Sequence, residues 1–237
     1  MIARWFLTPL ACLLPFAAAL GASPTQTFHA STEPLTAAQQ DRMRGRSWHD
    51  GCPVPMSDLV SIRLAYLGYD GASHDGTLVV HWRVAKEVTA MFQQLFEAGF
   101  EIERLEPYED FPVGEYAASN DSVGFYCRPA QDAPTSFSWH AYGLAIDLNP
   151  MTNPFLDPKT GWWPAGSSAN GARNGAAPGL LTSTSAAVGV FLAHGWAWGG
   201  LGSKHPDYMH FGKVTIGGED DPLQRPIWAE RLGSAPD

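Results

Sequence analysis

The sequence predicts an α+β domain, a small antiparallel sheet with flanking helices. Three observations carry that expectation. Val60, Ile62, Leu64 and Tyr66 alternate with Ser61, Arg63 and Ala65, and Thr77 to His81 offers a second strand, so the pair reads as a hairpin. Val84, Val88, Met91, Phe92, Leu95 and Phe96 recur at steps of three and four, which predicts an amphipathic helix stopped by Gly99. Phe100, Ile102 and Leu105 then alternate with charged residues, so a further strand follows the helix.

Residues 23–47 are polar and proline-containing, and read as an extended or weakly helical lead-in. Cys52 lies in a loop between Gly51 and Pro53. The hairpin has turn signals at Asp70-Gly71 and Asp75-Gly76. A helix over 57–67 stays open, because the alternating run is short. Tyr108 to Asp121 is loop-like, and Gly124 to Arg128 reads as a strand ending in an arginine. Tyr142, Leu144 and Ile146 alternate with Gly143, Ala145 and Asp147, which predicts a strand with small residues on the face of Asp147. Asn149 to Gly179 is rich in Gly, Pro, Asn and Ser and carries Trp162-Trp163; a loop of that length reads as a cleft wall or a lid. Thr182 or Ser183 caps a short helix that runs to about His194 and stops at Gly195. Residues 48–215 form the expected domain, and 216–237 a polar tail.

Composition narrows the function. The chain has 237 residues, 45% of them hydrophobic, so a sizeable core can be buried. The net charge of −9 makes it a poor partner for nucleic-acid phosphates. Residues 1–22 read as a secretory signal: Arg4, an apolar run, then Ala17, Ala18, Ala19, Gly21 and Ala22. The competing reading is an uncleaved anchor, against which Pro9 and Pro15 argue. The expectation is export to a periplasm or the exterior, without stable membrane insertion once the signal is removed. In that compartment Cys52 and Cys127 are expected to pair, two buried thiols being the alternative. The bridge would close a loop of about 75 residues, worth roughly 3–4 kcal/mol in the chain-entropy picture.

The chemistry concentrates in two runs, Ser138 to Asp147 and Asp207 to Phe211. They bring two imidazoles and two carboxylates into otherwise apolar and small-residue settings. A catalytic zinc takes three nitrogen or oxygen ligands from the protein and keeps a fourth position open. His140, Asp147 and His210 are the expected ligands of one Zn2+ per chain. Asp207, three residues before His210, is better placed to handle a proton on the metal-bound water.

Ser138-x-His140-x-x-Gly143-x-Ala145-x-Asp147 followed by Asp207-x-x-His210-Phe211 resembles the zinc D-alanyl-D-alanine carboxypeptidase and L-alanyl-D-glutamate endopeptidase family. Trp196 to Gly200 precedes the second half as it does in that family. The resemblance spans roughly Trp48 to Lys213 and implies a Hedgehog/D-Ala-D-Ala-peptidase-like fold and peptidoglycan stem peptides as substrate. It also implies that Arg128, in Phe125-x-Cys127-Arg128, stabilises negative charge during cleavage. Tyr126 stands where the family version has Asn, which leaves the local hydrogen bonding open. Ser138 is expected to bind substrate or orient a ligand, and Trp198 to shape the pocket.

Two other classes compete. The same scaffold serves as a non-catalytic zinc-containing binding module in Hedgehog-type signalling domains, but a pure binding site has no need of Asp207. Two histidines and a carboxylate also make the iron facial triad, whose first two ligands lie two residues apart; here the gap from His140 to Asp147 is seven. A serine peptidase through Ser138 and His140 lacks a nucleophile elbow. His81 and His205 read as ordinary core or surface groups, and Tyr208 and Met209 as core.

Overall fold

Alternation over residues 59–67 does build a strand. In this computed structural model, which describes residues 26–130, 135–201 and 204–213, the first strands are β1 (Ala30–Pro34), β2 (Leu59–Leu67) and β3 (Ser73–His81). They form one antiparallel sheet in the order β1-β2-β3, with Ile62 opposite Leu78 and Val60 opposite Val80. The turn falls at Asp70-Gly71; Asp75-Gly76 lies inside β3 rather than in a turn. The expected signal segment 1–22 and tail 216–237 lie outside the described residues.

The lead-in is more ordered than its composition suggests. It supplies β1 and then α1 (Ala37–Met43), capped by a reciprocal Thr36–Gln39 box. Every residue of β1 is exposed, so no apolar alternation marks it; its pairing with β2 is a matter of backbone hydrogen bonds. The Thr36-x-x-Gln39 spacing was the available signal for α1.

α2 (Trp82–Glu97) is the expected amphipathic helix. Val84, Val88, Met91, Phe92 and Leu95 are buried against Ile62, Leu64, Leu78 and Val80 of the sheet. Each such side chain contributes about 1.5–3 kcal/mol when taken fully out of water. The helix begins on His81, whose ring accepts from the Arg83 amide at 3.2 Å, so this histidine is a cap. It stops at Gly99, which has φ of +71°.

Two expected strands are extended segments without a ladder. Residue 102 donates to Leu67 and Thr77 donates to Leu105, while Arg104 bridges Asp121. Phe125 donates to Val79, Cys127 to Ser47, and Val123 exchanges bonds with Asp147. Alternation records burial on one side. A strand also needs one continuous partner, and these segments thread between several. Cys52 and Cys127 are bonded as expected.

The second half forms a smaller sheet in the order β4-β8-β7, made from β4 (Ala145–Asp147), β7 (Trp196–Trp198) and β8 (His210–Lys213). Between β4 and β7, the hairpin β5 (Phe155–Asp157) and β6 (Gly161–Trp163) and the helix α3 (Ala186–Ala193) intervene. α3 starts after Ser185, slightly later than the Thr182 or Ser183 expected, and Gly195 ends it at φ +73°. Ile146, Phe191, Trp196 and Phe211 join the core of β2, β3 and α2, so both sheets share one apolar interior. The α+β class is therefore the one adopted. No helix among the described residues is long and apolar enough to cross a membrane.

Asp121 marks a cost inside this core. It has no exposed surface; Oδ1 accepts from the Glu106 amide at 2.8 Å, while Oδ2 has no hydrogen-bond partner among the described residues. Burial pushes its carboxyl up to about 8. The folded protein therefore holds a proton that the unfolded chain releases near pH 4, and stability falls as pH rises from about 4 to about 8. The slope from this group approaches about 1.4 kcal/mol per pH unit. Asp121→Asn keeps an acceptor for Glu106 and is expected to remove that slope, as read from urea midpoints at pH 5, 7 and 9.

Candidate metal centre

Local backbone turns His140 into place. Trp139–Tyr142 is a single 3-10 turn rather than the start of a strand. Ser138 caps it, its hydroxyl accepting from the His140 amide at 3.4 Å. Gly143 then reverses the chain at φ +68°, and only from Ala145 does β4 run. Ala145 and Asp147 share a face as expected, while Gly143 belongs to the turn. A Cβ on Gly143 would lie 2.5 Å from the His81 amide nitrogen. Gly143→Ala combines left-handed strain with overpacking, and is expected to lower unfolding free energy by roughly 2–5 kcal/mol in urea denaturation.

Sheet register completes the cluster. Asp147 of β4 stands directly opposite His210 of β8. Asp147 Oδ1 is 3.0 Å from His210 Nδ1 and 3.1 Å from His140 Nε2, and the two ring nitrogens are 3.1 Å apart. The three atoms thus form a near-equilateral triangle. Tetrahedral bonds of about 2.0–2.1 Å would set ligand atoms about 3.3 Å apart, so the spacing of these three atoms would suit one small divalent ion. His140 Nδ1 lies 2.6 Å from the Gly124 carbonyl, which assigns the ring proton there and bares the Nε2 lone pair. Burial lowers the His140 pKa, which keeps the ring neutral. Burial opposes ionisation of Asp147, but His140 and His210 hold its carboxyl well below the usual range.

Asp207 sits beside the triangle. Its amide donates to Gly199 O at 3.0 Å, and Gly199 N donates to His210 O at 2.9 Å, so β7 and the turn before β8 hold it in place. Its Oδ1 is buried with no hydrogen-bond partner among the described residues. Burial pushes this carboxyl up to about 7, His210 pulling it down and the Asp147 carboxylate pushing it further.

The 149–179 segment packs against the run that carries Asp207 and Tyr208. Phe155 bridges Asp207, Leu156 donates to Pro206 O at 2.9 Å, and Tyr208 donates to Pro154 O at 3.2 Å. Arg173 binds the carbonyls of Thr152, Asn170 and Leu181, and its guanidinium lies 4.4 Å over Tyr208. Trp162 stacks on the same tyrosine. Tyr208 thus packs against this segment and is only half-buried, whereas Met209 is core as expected.

A pocket of about 220 Å³ opens beside His210, lined by Ser138, Trp139, Ala197, Trp198, Gly199 and Gly212. Trp198 is fixed by its indole bond to Tyr208 O at 2.8 Å. Arg128 lies outside that lining. Its Nε donates to Tyr126 Oη at 2.9 Å, its guanidinium lies 5.1 Å over the Tyr126 ring, and its backbone carbonyl accepts from Ser138 N at 3.0 Å. Its charge reaches Asp207, whose pKa it lowers. Tyr126 thus anchors the arginine. His205 is exposed and lies outside the cluster. A second His49-Cys52-Cys127 group has both sulfurs in the disulfide, which leaves no thiolate for a metal.

Two imidazoles and one carboxylate with a buried acid nearby are a donor set that a metallohydrolase centre uses. Residues 131–213 match the family model described as D-alanyl-D-alanine carboxypeptidase, roughly a third of the chain and both halves of the site. The match supports the family resemblance read from the motifs and a peptidase of the D-alanyl-D-alanine carboxypeptidase type. The matched span begins after Arg128. No curated protein and no solved structure matches the chain significantly.

Proposed function

We propose that this protein is an exported, periplasmic or secreted zinc metallopeptidase that hydrolyses peptide bonds in peptidoglycan stem peptides. The observation that carries the reading is the triangle of His140, Asp147 and His210 together with Asp207, whose charge acts on His210 and whose Oδ1 has no hydrogen-bond partner among the described residues. These three residues would hold one zinc, which would supply polarisation of a carbonyl and acidification of water.

The remaining roles belong to the chain's own groups. Asp207 accepts the proton of the attacking water and delivers it to the leaving amine, since its carboxylate lies close enough for its charge to act on His210. Arg128, fixed through Tyr126, faces the negative charge that develops at the carbonyl oxygen or the substrate carboxylate. Ser138 holds the turn that aims His140, and Trp198 walls the adjoining pocket. The segment from β5 to Arg173 packs against Asp207 and Tyr208 and so supports the run that carries the base.

The test is a mass-spectrometric digest of purified peptidoglycan fragments by the zinc-loaded protein. Loss of a terminal D-alanine identifies a carboxypeptidase, and release of larger peptides an endopeptidase. No cleavage of any fragment, with zinc bound, would favour the non-catalytic binding module.

A further inference from the structure

Arg128 and Asp147 are joined by two buried phenols. Arg128 Nε donates to Tyr126 Oη at 2.9 Å, the Tyr126 and Tyr116 hydroxyls lie 2.8 Å apart, and Tyr116 Oη donates to Asp147 Oδ2 at 3.4 Å. Proton counting sets the direction of every link. A phenol has one hydrogen. Tyr116 gives its hydrogen to a carboxylate that has none to return, so towards Tyr126 it must accept. Tyr126 therefore donates to Tyr116 and meets the guanidinium with a lone pair. All three bonds point from Arg128 to Asp147, and in a buried chain each donor polarises the next.

The rings are as constrained as the hydroxyls. Tyr116 and Tyr126 are 2% and 6% exposed. Tyr108 stacks on Tyr126 at 5.2 Å, Trp163 meets Tyr116 edge-on at 6.2 Å, and Tyr126 rests 4.7 Å from the His140 ring. The last contact brings Tyr126 against one side of the triangle while its hydroxyl reaches another through Tyr116. Asp147 is thereby divided: Oδ2 is tied to Tyr116 and Oδ1 is left facing both imidazoles. Both tyrosines lie outside the family-matched span.

We propose that Tyr126 and Tyr116 are positioning residues that lock the Arg128 guanidinium and the Asp147 carboxylate into one frame. They hold Asp147 Oδ1 in the metal-binding direction and couple that geometry to the arginine. The inference rests on reading His140, Asp147 and His210 as the metal ligands.

Tyr116→Phe and Tyr126→Phe each delete a hydroxyl and keep the ring. Zinc affinity is measured by competition with a chromophoric chelator, ligand geometry by the visible absorption of the cobalt-substituted protein, and folding by urea denaturation. Tyr116→Phe is expected to raise the zinc Kd about 10- to 100-fold and to change the cobalt spectrum. Tyr126→Phe is expected to do the same more weakly and to lower kcat, because it also releases Arg128. Arg128→Lys is expected to reduce kcat by a smaller factor in the Tyr116→Phe background than in the wild type. If the wild type fails to bind zinc stoichiometrically, the metal reading falls and takes the relay with it. A wild type that binds zinc, with both variants within twofold in Kd and unchanged in cobalt spectrum, overturns the relay alone. Loss of folding in both variants would assign the phenols to core packing and also overturn it.

Discussion

Asp207→Ala is expected to lower kcat by about 10²- to 10⁴-fold while one zinc remains bound. Asp207 is outside the triangle of ligand atoms, yet near enough for its charge to act on His210. Its backbone is held by Gly199 and by β5, so truncating the side chain leaves the segment in register. Its Oδ1 has no hydrogen-bond partner among the described residues, and such a buried oxygen costs free energy unless something visits it. In the proposed reaction the attacking water is that visitor. Asp207→Asn keeps the shape without the basicity and should be nearly as inactive. Zinc content by metal analysis, beside turnover of a stem peptide, checks the claim. Loss of zinc in the Asp207→Ala protein would make Asp207 a ligand and leave the reaction without its base.

The second large effect concerns Asp147→Asn. The substitution keeps an oxygen of similar placement opposite His210 but removes the charge. Structural zinc sites release about 10–16 kcal/mol over four bonds, so weakening one of three protein ligands should raise the zinc Kd by a factor on the order of 10² or more. The amide would also tend to turn its nitrogen away from the proton-donating Tyr116 and towards His140 and His210, where a lone pair is needed. Chelator competition and activity at saturating zinc check both parts. A Kd within threefold of the wild type would remove Asp147 from the ligand set.

Much of the centre was legible in the linear chain because its chemistry is carried by residue types at fixed spacings. His140 and Asp147 are seven apart, and Asp207 and His210 three apart; each pair lies on one short segment whose backbone keeps it together. The paired cysteines and the stripe on α2 were legible for similar reasons, the first from compartment and the second from periodicity. Gly143 was misplaced in a strand. Its real role depends on the close approach of His81, which alternation cannot encode.

By itself the sequence determined the residue types of the centre, the α2 face and the α+β class, all of which follow from local spacing and from burial on one side. Tertiary structure alone decided the rest. The pairing of Asp147 with His210 is set by register between strands 63 residues apart. The exposed β1 is set by backbone bonding that leaves no side-chain trace. The contacts of Arg173 with Thr152 and Tyr208 and the phenol chain to Asp147 join segments that carry no shared motif. The physical reason is common to all of these. A hydrogen bond or a metal triangle depends on distances of about 3 Å between atoms remote in sequence, and only the folded chain fixes those distances.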